Sequence, residues 1–369
     1  MKIIVSHVPA GSGHEKAAEA ISGALRRIRP DADVSVLNAL EGMNPAYQWA
    51  FTDGYLDMIH KYPALWGLAY HSLDIKMLSG LAFWLHRTSN AMHGKSLETI
   101  LLREKPDVFI GTHFFPMEVA SSMKQEGKLD AKLITVITDY MPHNVWIAPR
   151  IDAYAAGMEL TKKELMSRGI PEKKIYVTGI PIDSKFGKKL PRQTVAGDLG
   201  LDPAQFTLLV VSGGYGTGPV AELVKALGRI KEPMQVIVVC GKNTALRKKL
   251  TLLQGFPHKL IVYGFVDNMD ELMDAADLLV TKPGGLSCTE AMAKGLPMVL
   301  VAPIPGQEAR NAVIIERSGA AVLAGPIQKA PPIIEKLRSD PARLAEMGRK
   351  GMASGKPDAA IEIARLALI

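Results

Sequence analysis

The stretch LLVTKPGGLSCTEAMAKGLPMVLV, residues 278–301, decides the fold. Its ends, LLVTK (278–282) and PMVLVA (297–302), are short β-rich runs. Between them Gly284 and Gly285 turn the chain, and an amphipathic segment opens as a helix at Ser287. Strand, glycine turn, helix and strand make a βαβ unit, which implies parallel strands.

The same alternation runs outward in both directions. Upstream runs are KIIVSHV (2–8), DVSVLN (33–38), DVFIGT (107–112), LITVIT (133–138), AYAAG (153–157) and IYVTG (175–179). The second half adds TLLVVSG (207–213), MQVIVVCG (234–241), LIVYGF (260–265) and AAVL (320–323). A chain of 369 residues exceeds one ordinary core, which stops growing near ~250–300 residues. The Pro-, Gly- and Lys-rich stretch 184–205 is read as the hinge. The expectation is an α/β protein of two Rossmann-like doubly wound domains, 1–185 and 186–356, facing one another across a cleft, with a terminal helix over 357–369.

Composition narrows the class. The chain is 47% hydrophobic and 22% charged, which excludes a disordered or fibrous protein. The charge balance is 44 − 37 = +7, which suits an anionic partner. Two cysteines, Cys240 and Cys288, supply no disulfide framework and indicate a reducing compartment. The opening MKIIVSHVPAGSGH reads as a strand and loop rather than a signal peptide, and no run of ~18 apolar residues occurs. A cytoplasmic protein, held peripherally on the inner face of the cell membrane, is expected.

Four loops carry the chemistry. Ala10-Gly11-Ser12-Gly13-His14 follows the first strand and places His14 at a strand's carboxyl end, where open α/β sheets bind ligands. Lys16 stands where a dinucleotide fingerprint wants its third glycine. Asp139 and His143, four apart just past a strand, can orient an imidazole or share a proton. In the opening stretch, Gly284, Gly285, Ser287 and Thr289 at a helix start form a diphosphate cradle, with Lys282 as counter-charge and Glu290 able to accept ribose hydroxyls. Gln307, Glu308 and Asn311 in the next turn suit sugar hydroxyls. Gly213 and Gly214, Gly241 and Asn243, and Phe265 and Val266 line the same edge, the last pair placed to read a uracil.

One segment is compositionally distinct. Of 4 + 9 + 9 = 22 aromatics, nine fall between positions 47 and 84: Tyr47, Trp49, Phe51, Tyr55, Tyr62, Trp66, Tyr70, Phe83 and Trp84. Lys76, Arg87, Lys95, Arg103 and Lys105 adjoin them against Glu98 and Glu104. Core filling is one reading; an amphipathic surface lying in a membrane interface is the other. Two motifs are decoys. Gly94-Lys95-Ser96 lacks a P-loop's preceding strand and first glycine, and Asp31-Ala32-Asp33 lies at the wrong end of its strand. No Cys/His spacing suits zinc, so no metal site and no cofactor is expected.

Taken together, AGSGHEKAAEAI, TDYMPHNVW, VTGIPID, VVSGGYGTG, VVCGKN, YGFV and TKPGGLSCTEAMAKGLPMVL…PIPGQEARNA resemble the glycosyltransferase family of monogalactosyldiacylglycerol synthase and processive diacylglycerol glucosyltransferase. The resemblance implies a GT-B fold with the nucleotide sugar in the carboxy-terminal domain. It implies Glu290 on the ribose, Gly285 and Ser287 on the diphosphate, Gln307, Glu308 and Asn311 near the hexose, and His14 beside the acceptor. It also implies that 44–95 is a lipid-acceptor and membrane-docking insertion. His143-Asn144-Val145-Trp146 departs from the His-Pro-Thr-Trp of plant galactosyl enzymes and leans toward the bacterial glucosyl ones.

The expected reaction moves a hexose from UDP-glucose or UDP-galactose to diacylglycerol with inversion, using His14, or less favourably Asp139 or His143, as base. Alternatives on the same fold use UDP-N-acetylglucosamine: a lipid-linked N-acetylglucosaminyl transferase or a non-hydrolysing 2-epimerase. A nucleic-acid binder would need basic and aromatic residues interleaved, and here they lie apart. Split at the hinge, the charge is 21 − 20 = +1 over 1–185 and 23 − 17 = +6 over 186–369, so the excess belongs with the expected donor domain.

Overall fold

The computed structural model describes residues 1–52, 54, 57–58, 61–74 and 94–369. Tyr55, Lys76, Phe83, Trp84 and Arg87 of the aromatic–basic segment lie outside the described residues. The chain divides into two units. One comprises Met1–Asp183, Ile304–Gln307 and Asp358–Ile369, and the other Ser184–Pro303 and Glu308–Pro357.

The first unit holds a parallel sheet in the order β2-β1-β3-β4-β5-β6: β1 Lys2–His7, β2 Asp33–Asn38, β3 Val108–Gly111, β4 Lys132–Val136, β5 Ala153–Ala155 and β6 Ile175–Tyr176. The central strands β1, β3 and β4 are apolar on both faces, and period-2 alternation divides them between two cores, while the edge strand β2 is largely exposed. Ile3, Val5, Val108, Ile110, Ile134 and Val136 face the helix Ser12–Ile28. Ile4, Phe109 and Leu133 face the other way, toward Leu97 and Leu101 of the helix Lys95–Glu104 and Phe115 of the helix Phe114–Gln125.

The terminal helix needs correction as a separate element. It spans Ala359–Leu368 and belongs to the first unit, packed on Ser12–Ile28. Ile363, Ala364 and Ala367 are buried with Ala18 and Ile21, and Lys132 Nζ donates to Leu366 O at 2.7 Å. Its apolar face packs against a helix about 340 residues upstream in the chain.

The second unit repeats the architecture in the order β12-β11-β10-β7-β8-β9, again all parallel. The strands are β7 Thr207–Val211, β8 Gln235–Val239, β9 Lys259–Tyr263, β10 Leu278–Thr281, β11 Met298–Val301 and β12 Ala321–Gly325. The strand order reverses beside β1/β3 in the first sheet and β7/β10 in the second. Open sheets receive ligands outside the carboxyl ends at such points. Among the described residues no helix is long and apolar enough to cross a membrane.

Candidate active site

In the second unit the helix after β10 spans Gly285–Lys294, starting two residues earlier than the sequence suggests. Gly284 is its N-cap and offers no side-chain acceptor. The amides of Gly285, Leu286 and Ser287 therefore point out of the first turn with no acceptor among the described residues. The result is a row of donors at the positive end of a helix dipole, an arrangement suited to an anion.

Lys282 closes one side of this site. Its Nζ donates to Thr217 Oγ1 at 3.1 Å and pairs with Glu308 at 3.3 Å, joining the loops after β7, β10 and β11. Both charged side chains are mostly buried, about 15% exposed. The same lysine borders a small recess among Val210, Val220, Leu223, Val280 and Val301.

The glycine loops after β7 and β8 lock together through backbone. Gly216 has φ +60°, and a Cβ there would lie 1.9 Å from Cys240 O. Gly241 has φ +56°, and its Cβ would lie 2.3 Å from Gly214 O. Only glycine permits both the left-handed backbone and the approach. Lys242 N–H donates to Gly214 O at 2.9 Å, and Gly213, with φ +66°, begins the turn.

Two expected ligand residues are committed elsewhere. Asn243 Oδ1 caps the helix Thr244–Thr251 through Leu246 N–H, while its Nδ2 donates to Gly216 O at 2.9 Å, so it braces the loop. Thr289 Oγ1 donates to Gly285 O at 2.7 Å within the helix and is buried. Glu290 is half-buried one turn beyond the cradle, Asn311 is buried on the helix Gln307–Arg317, and Phe265 and Val266 follow β9 with Phe265 exposed. Cys288 is buried behind the cradle, and burial beside Glu308 and Glu290 pushes its thiol well up.

The first unit carries the candidate bases. His14 sits in the first turn after β1, half-buried between the rings of His113 (4.8 Å) and Trp146 (6.3 Å). Its Nδ1 lies 2.7 Å from Thr112 O, and a carbonyl can only accept, so Nδ1 bears the proton. Nε2 is left as a lone pair with no partner among the described residues. Desolvation, opposed by the Thr112 bond and reinforced by His7, lowers the His14 pKa to about 4. The ring is neutral at physiological pH and able to accept a proton.

His143 is engaged differently. Its Nδ1 accepts from Val145 N–H at 3.2 Å, so its protonated Nε2 donates to Tyr70 O at 2.9 Å. Both nitrogens are occupied in a residue 2% exposed. It anchors the helix Pro63–Asp74, helped by Asn144 Nδ2 to Asp74 O (2.9 Å) and Arg168 to Asp74 (2.7 Å). Asp139 is buried and accepts from Gln307 Nε2, so this pair of expected site residues meets within the first unit. Sequence reasoning gave no role to Thr112, Thr138 or Thr217; Thr112 and Thr138 stand just past the carboxyl ends of β3 and β4, the signal that could have found them, and Thr217 lies in the glycine loop after β7. Among the described residues no group of three His, Cys, Asp or Glu could hold a metal ion.

The chain is also similar to known proteins. The family model for monogalactosyldiacylglycerol (MGDG) synthase matches residues 14–182, and that for the glycosyltransferase family 28 C-terminal domain matches 207–363. The processive diacylglycerol beta-glucosyltransferase of Bacillus cereus (strain AH187) is 31% identical over 364 residues, 98% of this chain and 92% of that protein. Among solved structures, Acinetobacter baumannii MurG superposes with a TM-score of 0.63 at 16% identity, covering 100% and 99% of the two chains. S. aureus MnaA with UDP gives 0.62 at 14%, covering 100% and 98%. The folds of these neighbours and the near-complete match of the diacylglycerol enzyme place the chain, with its GT-B architecture, in the monogalactosyldiacylglycerol synthase family of glycosyltransferases.

Proposed function

We propose that the protein transfers a hexose, glucose or galactose, from a UDP-sugar to the free hydroxyl of diacylglycerol, inverting the anomeric carbon. The observation that carries this reading is the uncapped start of the helix Gly285–Lys294 beside Lys282, in a chain that matches a diacylglycerol glucosyltransferase almost end to end.

The acceptor oxygen attacks the anomeric carbon while its proton passes to His14 Nε2. The bond from that carbon to the diphosphate oxygen breaks, and its electron pair leaves with UDP. The amides of Gly285, Leu286 and Ser287 and the Lys282 ammonium meet the charge that develops there, and this role requires no metal ion. Glu290 takes the ribose hydroxyls, and Glu308 and Asn311 the hexose.

Membrane docking through 44–95 is part of the proposal. Trp49, Tyr62, Leu65 and Leu68 are 56%, 60%, 54% and 69% exposed, a concentration of bare apolar side chains in one short stretch. The protein then works peripherally on a lipid surface. Labelled UDP-glucose, UDP-galactose and UDP-N-acetylglucosamine, each incubated with the protein over vesicles containing diacylglycerol, test the reading. Label is expected in a glycolipid from one of the two hexoses. Label confined to free sugar or an epimerised nucleotide sugar refutes it.

A further inference from the structure

We propose that Thr112 is a positioning residue that clasps His14 at two points and holds its imidazole as the Nδ1–H tautomer, with the Nε2 lone pair directed away from the clasp. The inference rests on the reading of His14 as the acceptor-side base and deepens it.

Thr112 immediately follows β3 at the switch point of the first sheet, where its N–H donates to Ser6 O of β1 at 2.9 Å. Its carbonyl takes the His14 Nδ1–H at 2.7 Å. Its hydroxyl donates to the main-chain oxygen of His14 at 2.8 Å, with Ser6 O more distant at 3.3 Å. One residue thus fixes both the backbone and the ring of the histidine. Thr138 Oγ1, from the neighbouring β4 end, lies 3.2 Å from Nδ1 as a second acceptor on the same side. Thr112 is 0% and Thr138 4% exposed, so water does not compete for these bonds.

The arrangement has a chemical consequence. When Nε2 takes a proton the ring becomes a cation, and the Nδ1–H bond to the carbonyl strengthens, the orienting role a carboxylate fills in hydrolytic triads. A neutral carbonyl orients the ring without adding the charge that would hold the ring protonated before the acceptor arrives. Loss of the hydroxyl leaves the carbonyl in place but frees the His14 backbone, so the ring can turn away from the carbonyl, and Nδ1 can then give its proton to water while Nε2 takes one up, producing the other tautomer.

The test is nitrogen NMR of 15N-histidine-labelled full chain, which reads the tautomer without substrate, joined to transfer kinetics. Wild type is expected to show His14 as Nδ1–H, and Thr112→Val a mixture of tautomers. The Val variant should lose about 10- to 100-fold in kcat, with KM for the UDP-sugar changed less than about twofold and the pH profile displaced. Thr112→Ser, which keeps the hydroxyl, should restore both the NMR signature and kcat; a purely structural role would not be rescued in this pattern. An Nε2–H signature in wild type, an unchanged signature or full kcat in Thr112→Val, or failure of Ser to rescue overturns the clasp. Absent transfer by wild type with the signature intact overturns the proposed function instead.

Discussion

Replacing Asp274 by Ala should destabilise the second unit more than any surface change. Asp274 lies on the helix Met269–Ala275, and its Oδ2 accepts from Lys294 Nζ at 2.5 Å and from Leu190 N–H at 3.1 Å. Lys294 also donates to Lys188 O. The two charged side chains are 0% and 1% exposed. The pair therefore ties the last residue of the cradle helix to the segment that enters the unit. Removing the carboxylate leaves a buried ammonium with a single carbonyl partner, a loss of about 3–5 kcal/mol. The stranded Leu190 amide adds about 1 kcal/mol. At about 2–4 °C per kcal/mol for a unit of this size, a fall of roughly 8–24 °C in Tm is expected. Urea unfolding and calorimetry measure it. The double variant Asp274→Leu with Lys294→Met removes both charges and should recover most of the loss, because no ion remains buried. A single variant costing less than about 1 kcal/mol, the worth of an exposed pair, would refute the reasoning.

Three further outcomes are expected. His7, His14 and His258 all have folded pKa values depressed mainly by desolvation, so the unfolded chain binds more protons below its ordinary histidine pKa. Stability should therefore fall as pH drops from about 6.5 toward about 4, and the acid limb of kcat/KM should lie nearer 4 than 6.5; denaturant midpoints and pH–rate profiles check the two halves. Gly241→Ala adds a Cβ 2.3 Å from Gly214 O at φ +56°, and should separate the two glycine loops and weaken UDP binding at least about 10-fold by titration calorimetry, about 1.4 kcal/mol. Ala302 holds φ +43°, so Ala302→Gly should raise stability by about 1 kcal/mol in urea unfolding.

Much of the fold was legible because buried parallel strands announce themselves. All twelve β-rich runs become strands, most trimmed by one or two residues, and those in the sheet interiors are too apolar to sit in a loop. The glycine loops and the glycine turn into a helix after β10 were legible for a related reason, as they follow strands whose ends locate them. What the linear order concealed was which polar groups satisfy one another. Asn243 and Thr289 have the right chemistry for a ligand, but each lies within reach of backbone groups that need a partner. His143 likewise meets a cap on one nitrogen and Tyr70 O, over seventy residues distant, on the other. The docking of Ala359–Leu368 on Ser12–Ile28 and the clasp of His14 by Thr112 are long-range contacts of the same kind. No periodicity encodes them.

The central claim is inverting transfer of a hexose to a lipid with His14 as base. Proton NMR of the glycolipid formed from an α-linked UDP-hexose and diacylglycerol tests it most directly, run beside His14→Ala under conditions where UDP titration shows the variant still binds. The account predicts a β-linked product from the wild type and none from the variant. An α-linked product, or an undiminished yield from His14→Ala, would contradict it.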